Sequence, residues 1–278
     1  MPRISCRFFP HAFRGIASAF SFAATFPSPS KITAEVESSN IVGYQKIALN
    51  ANKMDILGQS FQTIGSETTS VQSIGVDGNF SEEGSDWIMV WDDETRTYTR
   101  LYYWGDSVDG VFADDSYATS LGAGWGDPDQ IVVSASVNPG RGFWAQAENG
   151  GSLVISGEVP SSGEVITSAN KMKLVANPYP VATDVQTIGV SGDFSEEGSD
   201  WIMVWDDETR TYTRLYYWGD SVEGVFTDDS YATTLGAGWG DPNQIVVNYT
   251  IPAGRGFWVN SELGGSLVFA DPTAAGAE

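Results

Sequence analysis

The chain has 278 residues, 36 of them acidic against 14 basic, for a formal net charge of −22. A field of that sign repels phosphate, which excludes nucleic acid as a partner. Abundant glycine and aromatics, one cysteine, and no Lys/Glu-rich helical blocks point to an all-β protein without a disulfide framework.

The N-terminal stretch is basic first, at Arg3, Arg7 and Arg14, and then apolar and small over Gly15–Phe26. With Ala34 just ahead of Glu35, the first acidic residue, residues 1–34 read as a secretory leader. The apolar run is too short for a membrane span. Its removal would take away Cys6 and His11, the only cysteine and the only histidine. The mature chain would then lack the groups for Ser–His–Asp, Cys–His or histidine-ligated metal catalysis.

Asn40–Leu49 is β-branched and aromatic and predicts a strand with no full counterpart later in the chain. Its residues Ile41, Val42, Tyr44 and Ile47 are the candidate assembly strand. From Val71 onward the chain repeats itself from Val185, and Phe80–Val108 returns unchanged as Phe194–Val222. Repetition of this length outranks other signals and sets two tandem modules, residues 35–158 and 159–278, joined by the polar linker Gly157–Glu164. All ten tryptophans fall inside the repeats, half in each.

Within a repeat, Trp87–Trp91 is a continuous apolar strand, buried on both faces or lying in a sandwich core. Asp92–Thr95 is a tight turn, and Arg96–Trp104 returns as the second arm of a hairpin. Alternation sets Tyr98, Arg100, Tyr102 and Trp104 on one face, with Thr97, Thr99, Leu101 and Tyr103 on the other, and predicts an Arg100–ring contact. Gly105–Pro128 is a long Gly/Asp-rich loop holding at most a short strand, and Gln130–Val133 opens the next one. Phe143–Gln146 and Ser152–Ile155 flank the Glu148–Gly151 turn and predict a second hairpin. The expected fold is therefore all-β, with two tandem antiparallel β-sandwich-like modules.

Three motifs carry a resemblance. Leu174–Pro180 (LVANPYP), Met203–Asp206 with Tyr212, and Pro252–Val259 (PAGRGFWV) recur in order and at a spacing that covers nearly the whole mature chain. They resemble motifs of uncharacterised β-modules from bacterial secreted and cell-surface proteins. The first copy matches through Val90–Asp92 and Pro139–Trp144 but lacks the NPYP segment. The resemblance implies an extracellular β-module with no catalytic residues to carry over.

Paired carboxylates can hydrolyse glycosides, but Glu82/Glu83, Asp92/Asp93 and Asp114/Asp115 all lie in polar turns, and no enzyme is expected. Calcium takes six to eight oxygens from flexible loops. Asp106, Asp109, Asp114 and Asp115, with Asp220, Asp228 and Asp229 in the second copy, are the candidate ligands; the alternative is a solvated acidic loop. Trp125 and Trp239, flanked by glycines in the long loop, are expected to be exposed. With Tyr102 and Tyr216 they are candidate contacts for a glycan or a protein partner, whereas Trp87, Trp91 and Phe143 are expected core. Two functions compete. One is a secreted bacterial surface protein, structural or adhesive, self-assembling through strand-edge contacts; the other is a bivalent carbohydrate-binding module.

Overall fold

A computed structural model describes residues 42–80, 83–105, 124–129, 133, 135–194, 197–206, 208–219, 238–243, 245 and 247–273. Among them there is no α-helix; strands and two short 3₁₀ turns make up the regular structure. The first copy contributes β1 (Val42–Leu49), β2 (Lys53–Gly58), β3 (Gly75–Asp77), β4 (Glu83–Asp92), β5 (Thr97–Trp104), β6 (Gly124–Gly126), β7 (Gly142–Ala147) and β8 (Gly151–Glu158). The second contributes β9 (Glu164–Thr167), β10 (Lys171–Ala176), β11 (Thr183–Asp184), β12 (Gly189–Ser191), β13 (Glu197–Asp206), β14 (Thr211–Trp218), β15 (Gly238–Gly240), β16 (Thr250–Ile251), β17 (Gly256–Ser261) and β18 (Gly265–Val268).

Each copy is an antiparallel sandwich. A five-stranded sheet, ordered β2-β7-β4-β5-β6 in the first copy and β10-β17-β13-β14-β15 in the second, faces a three-stranded one, β1-β8-β3 or β12-β18-β9. Between the layers lies a core of Leu57, Phe61, Ile88, Leu101, Trp125, Phe143 and Leu153 in the first copy. Val175, Tyr179, Ile202, Leu215, Trp239, Phe257 and Leu267 repeat it in the second.

The β4–β5 hairpin forms as predicted, and its register pairs Trp87 with Tyr102, Met89 with Arg100 and Trp91 with Tyr98. Its turn is held by Asp92, whose Oδ1 accepts from the Glu94 and Thr95 amides at 2.8 and 3.0 Å. Arg96 closes it at φ 57°. The Arg100 guanidinium lies 4.6 Å from the Trp87 ring centroid. At the other end of the strand, Gly84 (φ 72°) sits against the Trp104 indole so closely that a Cβ would meet the ring at 2.4 Å. Trp104 is thereby clamped, its Nε1–H donating to the Asp127 carbonyl at 3.1 Å.

One expectation is corrected and another refined. The segments around Glu148–Gly151 are not a hairpin: β7 pairs with β2 and β4, while β8 crosses to the other sheet and pairs with β1 and β3. A sandwich needs such a crossing, and a short turn looks the same in sequence whether its arms pair or part. The crossing is pinned by a buried carboxylate, Asp86, accepting from the Glu148 amide at 2.6 Å, and by Asp200 doing the same for Glu262. The N-terminal strand does have a counterpart: β9 pairs with β18 as β1 pairs with β8. It is a partial counterpart, four residues against eight, and it begins at Glu164, the last residue of the predicted linker.

The two sandwiches do not stand apart. The described residues form one compact unit, because the outer faces of the two five-stranded sheets bury a third core, built on Ile56, Trp87, Met89, Trp144, Leu174 and Trp258. This explains the unbroken apolar run of β4: Ile88 and Val90 point into the copy's own core, and Trp87, Met89 and Trp91 point to the other copy.

Candidate functional site

Contacts across the junction are reciprocal, as in an isologous dimer. The Trp91 indole donates to the Met172 carbonyl at 3.0 Å, and Trp205 to the equivalent Met54 carbonyl at 3.2 Å. Trp91 packs edge-to-face on Trp258 at 5.4 Å, and Trp205 on Trp144 at 5.5 Å. The Gly58 amide bonds the Gly254 carbonyl, and Ala176 bonds Gly140, both at 2.9 Å. The Pro139–Gly142 and Pro252–Gly256 turns thus reach into the opposite copy. Gly142 and Gly256 permit that approach, since a Cβ there would lie 2.9 Å from the Val175 carbonyl oxygen or 2.7 Å from that of Leu57.

Charge breaks the symmetry. Asp55 on β2 and Lys173 on β10 hold equivalent positions; Asp55 is paired across the junction with Arg255. The equivalent encounter would set Lys173 against Arg141. Arg141 turns instead to its own copy, donating to the Trp91 carbonyl and lying 3.4 Å from Asp93. Lys173 donates to the Ile166 carbonyl at 2.7 Å. Burial pulls its pKa down, with Asp93 opposing and Arg141 adding to that shift. Burial likewise lowers Arg255. Beside the Asp55–Arg255 pair opens a cleft of about 220 Å³ lined by Trp205, Asp206, Glu208 and Tyr249.

A second surface is the edge of the first copy's three-stranded sheet. β1 pairs along its whole length with β8 and, among the described strands, is terminal in that sheet. Ile47 and Leu49 face the core, whereas Val42 (61% exposed) and Tyr44 (75%) face out. With Ile64 (65% exposed) and Gly157 they line an open apolar groove of about 550 Å³.

The predicted site residues divide accordingly. Val42 and Tyr44 are brought together on this edge; Ile47 is core, and Ile41 lies outside the described residues. Trp125 and Trp239 are fully buried, not exposed. The glycines beside Trp125 let a three-residue strand dock against β5. Its indole then points inward, donating to the Ile74 carbonyl at 2.8 Å and packing edge-to-face on Phe80 and Tyr103. Neither tryptophan can offer its face to a sugar. Tyr102 is half-buried against the junction core, and Tyr216 half-buried beside Trp218. Trp87 and Phe143 are core as expected, and Trp91 is half-buried in the junction. The calcium candidates Asp106, Asp109, Asp114, Asp115, Asp220, Asp228 and Asp229 lie outside the described residues, as do residues 1–34 and 130–132. Among the described residues, no three acidic, His or Cys side chains gather as metal ligands. No helix there is long and apolar enough to cross a membrane.

Comparison with protein-family models, curated proteins and solved structures finds no match. Asp55, Lys173, Arg141, Arg255 and Ile64 were not singled out in the sequence, although each copy's turn motif carries the arginine.

Proposed function

We propose that the protein is an exported, non-enzymatic structural or adhesive protein of a bacterial surface, and that it associates with copies of itself through the edge of β1. The observation that carries this reading is Val42 and Tyr44 standing exposed on a terminal strand, above an apolar groove shared with Ile64. An unpaired edge beside exposed apolar side chains is a template for another strand. The contact is an edge-to-edge one, since β1 is already fully paired within its own sandwich and is not free to be donated. The motif resemblance to secreted β-modules agrees with export. The Asp92 carboxylate is engaged in its turn, and Asp93 lies against Arg141.

The test is sedimentation of the mature chain over a concentration series, with Val42→Lys/Tyr44→Lys beside wild type. Two like charges on the edge should abolish association while leaving the fold's circular dichroism unchanged. A wild type that stays monomeric, or a double variant that associates equally well, overturns the reading.

A further inference from the structure

The junction between the copies has a property that does not depend on the β1 edge. An isologous interface requires only that two complementary faces meet; whether a linker joins them affects effective concentration and not the contacts themselves. Here each half has a sandwich core of its own, and the junction core is a separate third cluster. The halves are joined only through Val159–Gly163, between the last residue of β8 and the first of β9.

The charges say which halves can meet. First copy against second gives Asp55 with Arg255, and leaves Arg141 satisfied by Asp93 and the Trp91 carbonyl. First against first would give two Asp55–Arg141 encounters but would strand two second-copy faces. Those faces could meet only by setting Lys173 against Arg255 twice. Reciprocal first-to-second pairing is the arrangement that covers every tryptophan face and repeats every contact seen within one chain.

We propose that the junction is exchangeable: two chains open at the linker and pair reciprocally, the first copy of each with the second copy of the other. The product is a closed dimer whose junctions are the same as the monomer's. The partner is a second copy of this chain, and the lever that selects monomer or dimer is the length of the Val159–Gly163 connection. Shortening it penalises the closed monomer, and lengthening it favours closure of each chain on itself.

The experiment uses three forms of the full chain: wild type, a deletion of Ser161 and Ser162, and an insertion of ten Gly/Ser residues after Ser162. Each is unfolded in urea, refolded at high concentration and analysed by sedimentation, with two differently tagged versions mixed before refolding. The expected result is mixed-tag dimers whose fraction rises at least tenfold on deletion and falls at least tenfold on insertion, with tryptophan fluorescence equal to the monomer's. The same dependence should persist in a Tyr44→Lys background, which separates exchange from edge association. A dimer fraction indifferent to linker length, no dimer in any form, or dimers lost with Tyr44→Lys overturns the proposal.

Discussion

Trp91 donates its indole N–H to the main-chain oxygen of Met172, 3.0 Å away in the other copy. Met172 is the equivalent of Met54, which receives the same bond from Trp205. One duplicated side chain therefore stitches the molecule twice, and the junction gains geometry as well as buried area. Edge-to-face ring pairs of this sort contribute about 0.5–1.5 kcal/mol each beyond their burial.

Trp258 is buried in that shared core, so Trp258→Ala should destabilise the protein by about 3–5 kcal/mol, the usual cost of deleting a core indole. Because the loss falls on the junction and not on either sandwich, urea unfolding should broaden or split into two transitions. A single transition with unchanged slope would show that the sandwiches do not unfold separately once the junction is weakened.

Replacement of Asp55 tests the junction's charge. Asp55→Ala leaves the half-buried Arg255 without its carboxylate, and breaking a buried pair in this way costs about 3–5 kcal/mol. Lys173→Ala should cost far less, because Lys173 donates to a main-chain carbonyl, that of Ile166, and the pull of Asp93 on its charge is offset by Arg141. Chemical denaturation of the two variants side by side checks the asymmetry.

Trp125→Phe keeps a ring in the first core but removes the donor to the Ile74 carbonyl. An orphaned buried acceptor costs about 1–3 kcal/mol, and the midpoint of unfolding should fall accordingly. No change would mean that the indole nitrogen reaches water, contrary to its complete burial.

The turn aspartates set a pH dependence. Amide donation, chiefly from Thr95 to Asp92 and from Thr209 to Asp206, holds both carboxyls below the ordinary range. Lys46 does the same for Asp77. A carboxyl whose folded pKa is depressed stabilises above its unfolded value, about 3.9, and loses that contribution as pH falls through the folded value. Melting temperature should therefore decline on acidification below about pH 4. In Asp92→Asn/Asp206→Asn that decline should be shallower, since the amide oxygen still accepts but does not titrate.

Arg210 ends the second hairpin turn at φ 56°, a conformation that costs a side chain with a Cβ about 1–2 kcal/mol. Arg210→Gly removes that strain and adds some unfolded-state entropy. The net expected gain is about 0.5–1 kcal/mol, measurable as a raised midpoint without change of slope.

The repeat, the β4–β5 hairpin and the assignment of its faces were legible because period-two alternation and Asp-initiated turns are local. A contact of Arg100 with a ring was legible too, whereas its partner, Trp87, is set by the cross-strand register. What could not be read was what each face meets. Trp87, Met89 and Trp91 look alike in sequence whether they face solvent, ligand or another sheet. Trp125 was misjudged because flanking glycines mark an exposed loop and a tightly docked short strand equally well. The strand at Glu164–Thr167 was missed since its neighbours are linker-like, and only its pairing with β18 gives it away. Lys173, standing where the first copy has Asp55, was visible as a difference between repeats, but nothing local says that this position faces the opposite half.

The bulge glycines Gly84 and Gly198 leave no room for a methyl group beneath Trp104 and Trp218. Gene duplication copied that constraint along with the strand, so drift at one glycine cannot be absorbed by repacking its own indole. A lineage that loses either would have to rebuild the hairpin base on that side.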